Sequence, residues 1–211
     1  MKDILYRSHT SRVGRVEVTW TRTSSVFATQ PTGAWLPGGM AATLGTPFTV
    51  GRCPVRVTAL GYLDETGEGL VSGHTVGIYD RKQRLLGSAR VPSGLGTPYR
   101  RGTRWVKLDQ PILLAANTGY TLAFTISSAG DRVNFVPSSQ VTIDSLFALA
   151  SEGFTIAQMG ILTYPELEAS RGTFAIGGNM EVEAESYDLS PARSTQTRGP
   201  ARSLPRRRGR A

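Results

Sequence analysis

One cysteine and two histidines stand in 211 residues, and that scarcity removes several kinds of chemistry. Cys53 has no second cysteine to pair with, so a disulfide framework within this chain is excluded. A catalytic thiol would want a neighbouring histidine. His9 and His74 are both far from Cys53 in sequence, and only Arg52 adjoins it. The expectation for Cys53 is therefore a small strand residue, buried or half-buried. Apolar runs extend over only a few residues, too short for a helix that spans a bilayer. The first stretch, MKDILYRSHTSR, carries a lysine with no apolar run after it and does not read as a secretory signal peptide. HExxH, CxxC and P-loop patterns are missing, as is any Ser/His/Asp order that stands out. Gly67 and Gly69 lie in a turn, without the strand-to-helix setting of a dinucleotide site.

Acid is missing from one region in particular. From Leu189 onward there are seven arginines and no aspartate or glutamate; subtracting these seven from the net +8 leaves +1 for residues 1–188. The body is thus nearly neutral and the basic character belongs to the end of the chain. That end is Ser, Thr, Pro, Arg and Gly with almost nothing to bury, so it is expected to be disordered on its own. Arg202, Arg206, Arg207, Arg208 and Arg210 suit phosphate or another polyanion through counterion release. No aromatic residue interleaves with them, so base stacking is not indicated. A solubilising tail fits the same composition.

What is present is glycine, 24 residues of it, between short segments that alternate apolar and polar. VGRVEVTWTRT sets Val16, Val18 and Trp20 against Arg15, Glu17 and Thr19, a strand that either opens a sandwich or forms an arm for a partner. Residues 28–46 are rich in Gly, Pro and Thr and read as a loop. Strands follow at FTV (48–50) and PVRVTALGYL, the latter with Val55, Val57 and Ala59 opposite Arg56, Thr58 and Leu60. HTVGIYD, RLLGSARV, RWVKLDQPILL and ANTGYTLAF continue the pattern, with VNFV and NMEVEAESY later. The turns at Asp64–Gly69 and Asp80–Arg84 suit hairpins. Residues 141–154 suit a short helix or a loop with one strand. Strand spacings of about 8 to 12 residues predict an all-β, antiparallel β-sandwich. The divisions are residues 1–26 as a first strand or arm, 27–188 as the sandwich and 189–211 as the tail.

The ordered set PVRVTALGYLD, GEGL, HTVGIYD, RLLGSARV, RWVKLDQPILLAANTGYTLAF, DRVNFV and FAIGGNMEVE resembles a bacterial domain of unknown function. That domain is common in exported proteins that carry PEP-CTERM sorting signals. The resemblance covers about residues 45–185. It implies a jelly-roll β-sandwich with a binding or surface role and an extracellular setting, and it supplies no catalytic residues. The chain departs from that pattern in lacking a terminal PEP motif followed by an apolar segment and a basic cluster.

Four groups of side chains are candidates for function. Asp64, Glu65 and Glu68 form an acidic loop that could hold structural calcium, a cation that wants several oxygens on a flexible loop; they equally suit a solvated turn. His74, at the start of a strand, is a candidate ligand contact or proton carrier. Its alternative is a hydrogen bond that pins the preceding loop. Trp35, Tyr79, Tyr99 and Trp105 are candidates for stacking on a glycan; the alternative is core packing for Trp105 and loop clamping for Tyr99. The tail arginines are the fourth group. The composition thus points to a non-catalytic binding or structural module, with self-association, a protein partner, a glycan or a polyanion as partners. A subunit of a phage or other large assembly and a carbohydrate-binding accessory domain are the alternatives.

Overall fold

A computed structural model describes residues 3–11, 14–23, 27–29, 41–127, 130–150, 153–157 and 161–188. The strands are β1 (Asp3–Ser11), β2 (Gly14–Thr23), β3 (Phe27–Thr29), β4 (Ala42–Val50), β5 (Val55–Leu63) and β6 (His74–Asp80). They continue with β7 (Leu85–Val91), β8 (Tyr99–Arg100), β9 (Thr103–Leu114), β10 (Gly119–Ile126), β11 (Asn134–Pro137) and β12 (Val141–Ile143). The last are β13 (Phe147–Leu149), β14 (Phe154–Ala157), β15 (Leu167–Ser170), β16 (Thr173–Ile176) and β17 (Gly178–Asp188). Among the described residues the only helical element is a 3-10 turn at Ser138–Gln140, and no helix is long and apolar enough to cross a membrane.

One sheet runs β1-β2-β17-β5-β9-β8; the other runs β15-β14-β4-β10-β6-β7, with β13 also paired to β4. All pairings are antiparallel. Within them, β2-β17-β5-β9 and β4-β10-β6-β7 have the order of a jelly roll, in which each successive strand crosses to the other sheet except at the β6–β7 hairpin. β2 is hydrogen-bonded to β17 along Thr23 to Glu17, and β1 forms a hairpin with it.

Both inner faces meet in one core that includes Tyr62, Phe48, Phe124, Leu44, Leu122 and Met180. Phe48 gathers Phe27, Tyr120 and Phe147 around it at ring separations of 5.7–6.2 Å. Each fully buried Phe or Leu contributes about 1.5–3 kcal/mol relative to exposure.

In β10 the register places Tyr120, Leu122 and Phe124 in the core. In β5 the pattern fails halfway. Val55 and Val57 face the core, but Leu60 and Tyr62 take over from Ala59, because the register shifts between Val57 and Ala59. An extra residue at a bulge reverses which parity points inward. The stretch 42–46, expected in a loop, is the first half of β4 and is buried. Its small residues lie beneath another part of the chain. Residues 161–166 cross the outer face of that sheet, with Thr43 Oγ1 donating to the Ile161 carbonyl at 2.9 Å. A Cβ on Gly77 would stand 2.7 Å from Leu162, so glycine lets this crossing come close.

Three more expectations are corrected. Cys53 is exposed, because it sits in the turn between β4 and β5 and not on a strand. The described residues of 141–154 include β12, β13 and the first residue of β14, more strand than either a short helix or a loop with one strand, since Ile143 and Phe147 are held by pairing to β3 and β4. The Asp64–Gly69 turn does not close a hairpin: β5 and β6 lie in different sheets, and the segment between them is a crossover. The Asp80–Arg84 turn does close the β6–β7 hairpin.

Candidate functional site

The crossover from β5 to β6 forms one end of the sandwich, and most of the candidates among the described residues lie in or against it. Asp64 leaves β5 and folds the chain back on itself. Its Oδ1 accepts the Gly67 amide and its Oδ2 the Gly69 amide, both at 3.1 Å. Gly67 and Gly69 have φ of 73° and 98°, the left-handed region that the sequence DETGEG serves with glycine. Oδ2 also accepts Arg104 Nε at 2.7 Å. Arg104, on β9, donates further to the carbonyls of Leu95, Thr97 and Gly67 at 3.0–3.1 Å. This buried guanidinium therefore ties the crossover to the loop between β7 and β8. The Tyr99 ring covers it, 5.0 Å from centroid to Cζ.

A second buried cluster sits at the far end of the same loop. Asp131 accepts the Val71 amide on Oδ1 at 2.7 Å and the Ser72 amide on Oδ2 at 2.8 Å. Its Oδ2 also accepts the Ser72 hydroxyl at 3.0 Å and His74 Nε2 at 2.9 Å. The other ring nitrogen, Nδ1, lies 2.8 Å from the Thr125 carbonyl. Both nitrogens thus face oxygen atoms that can accept. The imidazole stacks on the Tyr62 ring at 3.7 Å and 6°. Burial and then the Asp131 charge push the Tyr62 hydroxyl well above the usual phenol range. Desolvation raises the Asp131 carboxyl, yet the His74, Val71 and Ser72 hydrogen bonds and the His74 charge bring it below its ordinary value.

These groups do not assemble a nucleophile. Ser72 Oγ is 3.4 Å from His74 Nε2, but that nitrogen is already turned to Asp131, and the hydroxyl donates to the same carboxylate. A serine relay needs one ring nitrogen on the hydroxyl and the other on the carboxylate. Here the histidine ties the end of the crossover to β10 and to the segment that carries Asp131.

The acidic candidates share a cleft of about 210 Å³, lined in part by Asp64, Glu65, Glu68, Asp131 and Arg132. Asp64 is occupied by Arg104 and two amides, and Glu65 accepts Asn134 Nδ2 with Arg132 at 3.7 Å. Among the described residues no group of three or more His, Cys, Asp or Glu side chains is set to hold a metal ion.

Among the aromatic candidates, Tyr79 is buried under the 161–166 crossing, edge-on to Tyr164 at 5.6 Å. Trp105 is buried, with Arg100 5.9 Å over its ring. Tyr99 is 42% exposed and belongs to an apolar ledge with Val71 (66%) and Leu95 (65%), all carried by the pinned loops. Trp35 and the tail arginines Arg202, Arg206, Arg207, Arg208 and Arg210 lie outside the described residues.

Sequence reasoning singled out His74 and Asp64 but missed Asp131 and Arg104. Asp131 reads as one residue of a turn, AGDR, and Arg104 as the start of a strand. Their partners lie 57 and 40 residues away, a distance over which no local pattern carries information. Comparison of the chain with protein-family models, with curated proteins and with solved structures gives no match.

Proposed function

We propose that the protein is a non-catalytic β-sandwich module that works through its surface, as a binding part of a cell-surface or extracellular protein. The observation that carries this reading is the contrast at the crossover end. There Asp64 is buried against Arg104 and His74 against Asp131, while Val71, Leu95 and Tyr99 meet solvent beside the exposed Glu68 and Arg132. A ligand with an apolar face and polar edges, such as a sugar ring, suits that ledge. The ledge is preorganised, because Asp64, Arg104 and Asp131 fix the loops that bear it; rigidity of this kind lowers the entropic cost of binding. A glycan array probed with the full chain tests the reading. Retention lost on Tyr99→Ala, with Trp35→Ala as the second position, supports it. A blank array would shift the reading to a purely structural module, and turnover abolished by Asp131→Asn in a folded variant would overturn the non-catalytic assignment.

The seven arginines of residues 189–211 favour a second reading, a subunit of a phage or other large assembly that meets a polyanion through that segment. Binding to nucleic acid with a steep salt dependence, lost on deletion of 190–211, is its signature. Unchanged binding after the deletion removes it.

A further inference from the structure

The end of the sandwich opposite the crossover is made of turns that carry positive charge. Residues 51–54 join β4 to β5, 81–84 join β6 to β7 and 115–118 join β9 to β10. Thr49 and Asp80 lie beside the start of β10, opposite Gly119 and Tyr120, so these turns share one end. The Asn117 amide donates to the Gly51 carbonyl at 2.8 Å and ties two of them together. β4 and β6 flank β10, which sets their turns about 10 Å apart. Arg52, Arg81 and Lys82 are exposed there, and none forms an ion pair among the described residues. A Cβ on Gly119 would stand 2.7 Å from Arg81 Nε, so glycine lets this side chain lie over the start of β10.

The acids nearby are engaged. Asp80 accepts the amides of Lys82 and Arg84 and the Arg84 guanidinium, Asp144 accepts the Leu146 amide, and Glu183 accepts Arg56. The three turns read GRCP, RKQR and AANT, with no aromatic residue to stack on a base or a sugar ring. Cations in this company suit phosphate oxygens. β17 runs toward the same end: Gly178 pairs with Tyr62, Ala184 with Val55, and the strand continues along β2 to Asp188. The arginine-rich sequence from 189 follows directly on that strand. We propose that Arg52, Arg81 and Lys82 form a phosphate-contacting surface on the folded body, gripping the backbone of the same nucleic acid that residues 189–211 meet. The proposal rests on the polyanion reading of that segment for its class of partner, and adds to it a site fixed by the fold.

Anisotropy of a labelled single-stranded oligonucleotide, read against salt, tests this. In the full chain, Arg81→Gln with Lys82→Gln should lower the salt slope by about 1.4, two phosphates at about 0.7 each, with circular dichroism unchanged. Deletion of 190–211 should weaken binding without removing it and leave a slope of about −2, three phosphates' worth. Arg90→Gln, at the crossover end of β7, should change neither quantity. Complete loss on the deletion keeps the polyanion reading and overturns this surface, as does a slope that the double variant leaves unchanged. Binding that survives the deletion unchanged but falls in the double variant removes that reading and keeps the surface. Retention on phosphatidylserine vesicles with none on the oligonucleotide assigns the surface to a lipid and overturns the proposal. If neither chain binds nucleic acid or vesicles, surface and reading fall together.

Discussion

Asp64 and Asp80 are built from the same parts. Each stands at the end of a strand, accepts two backbone amides from the following turn and pairs with one arginine. Asp80 does this in solvent: Arg84 is four residues on and 70% exposed, and the turn merely closes a hairpin. Asp64 does it inside the protein, with an arginine from 40 residues away that also donates to three carbonyls. One turn is a local convenience; the other holds two loops and the ledge above them. The lesson is that a turn's chemistry says little about its energetic weight, which is set by who else buries it.

The largest effect should come from Arg104→Ala. It leaves Asp64 buried and charged and strips three carbonyls of their donor, and should cost about 3–5 kcal/mol in urea unfolding. A loss as small as that of a surface variant would erase the contrast between the two turns. Asp131→Asn comes next, at about 2–3 kcal/mol, because the amide cannot accept from His74, Ser72 and Val71 together.

That variant also carries a pH signature. Asp131 is held below its ordinary value in the folded protein, so its stabilisation is present above the unfolded value, about 3.9, and disappears as pH falls through the lower folded value. Thermal midpoints should thus drop more steeply below about pH 4 in the wild type than in Asp131→Asn. Parallel acid curves would show that the carboxylate is not the group being titrated. Asp80 is lowered too, chiefly by its Arg84 hydrogen bonds, and contributes in the same direction to both proteins.

Smaller effects separate the turns by their backbone. Gly67 has φ of 73° and the Tyr99 ring 3.2 Å from where a Cβ would be. Gly67→Ala should cost about 1–2 kcal/mol and shift Tyr99 fluorescence or quenching. The Asp80 turn instead places Gln83 at φ of 62°, so Gln83→Gly relieves strain and should gain up to about 1 kcal/mol. Last is Arg84→Ala, for which differential scanning calorimetry should find an unchanged midpoint, the solvated pair adding little. A clear drop there would make the two turns equals after all.

The strands themselves were largely legible. Alternation in β6 groups Val76 and Ile78 on one face, and both are in the core, because side chains along a strand point to opposite faces in turn. Where the environment departs from that rule, the reading failed. β5 changes parity at a bulge, and β4 hides small residues under the 161–166 crossing, so its Thr and Gly look like a loop. At the site, Asp64 and His74 stood out because each lies beside a turn signal. Asp131 and Arg104 carry no such mark, since what gives them a role is a partner far along the chain.

The sequence by itself determined the all-β class, the strand alternation, the glycine turn after Asp64 and the gathering of positive charge in residues 189–211. These are local properties, fixed by side-chain period, by backbone freedom at glycine and by composition. Only the tertiary structure decided that β5 and β6 part into different sheets, that the acidic turn is a crossover, and that Asp64 and Asp131 are buried anchors. The reason is that strand pairing and charge burial depend on neighbours brought together by folding, and no short stretch of chain contains them.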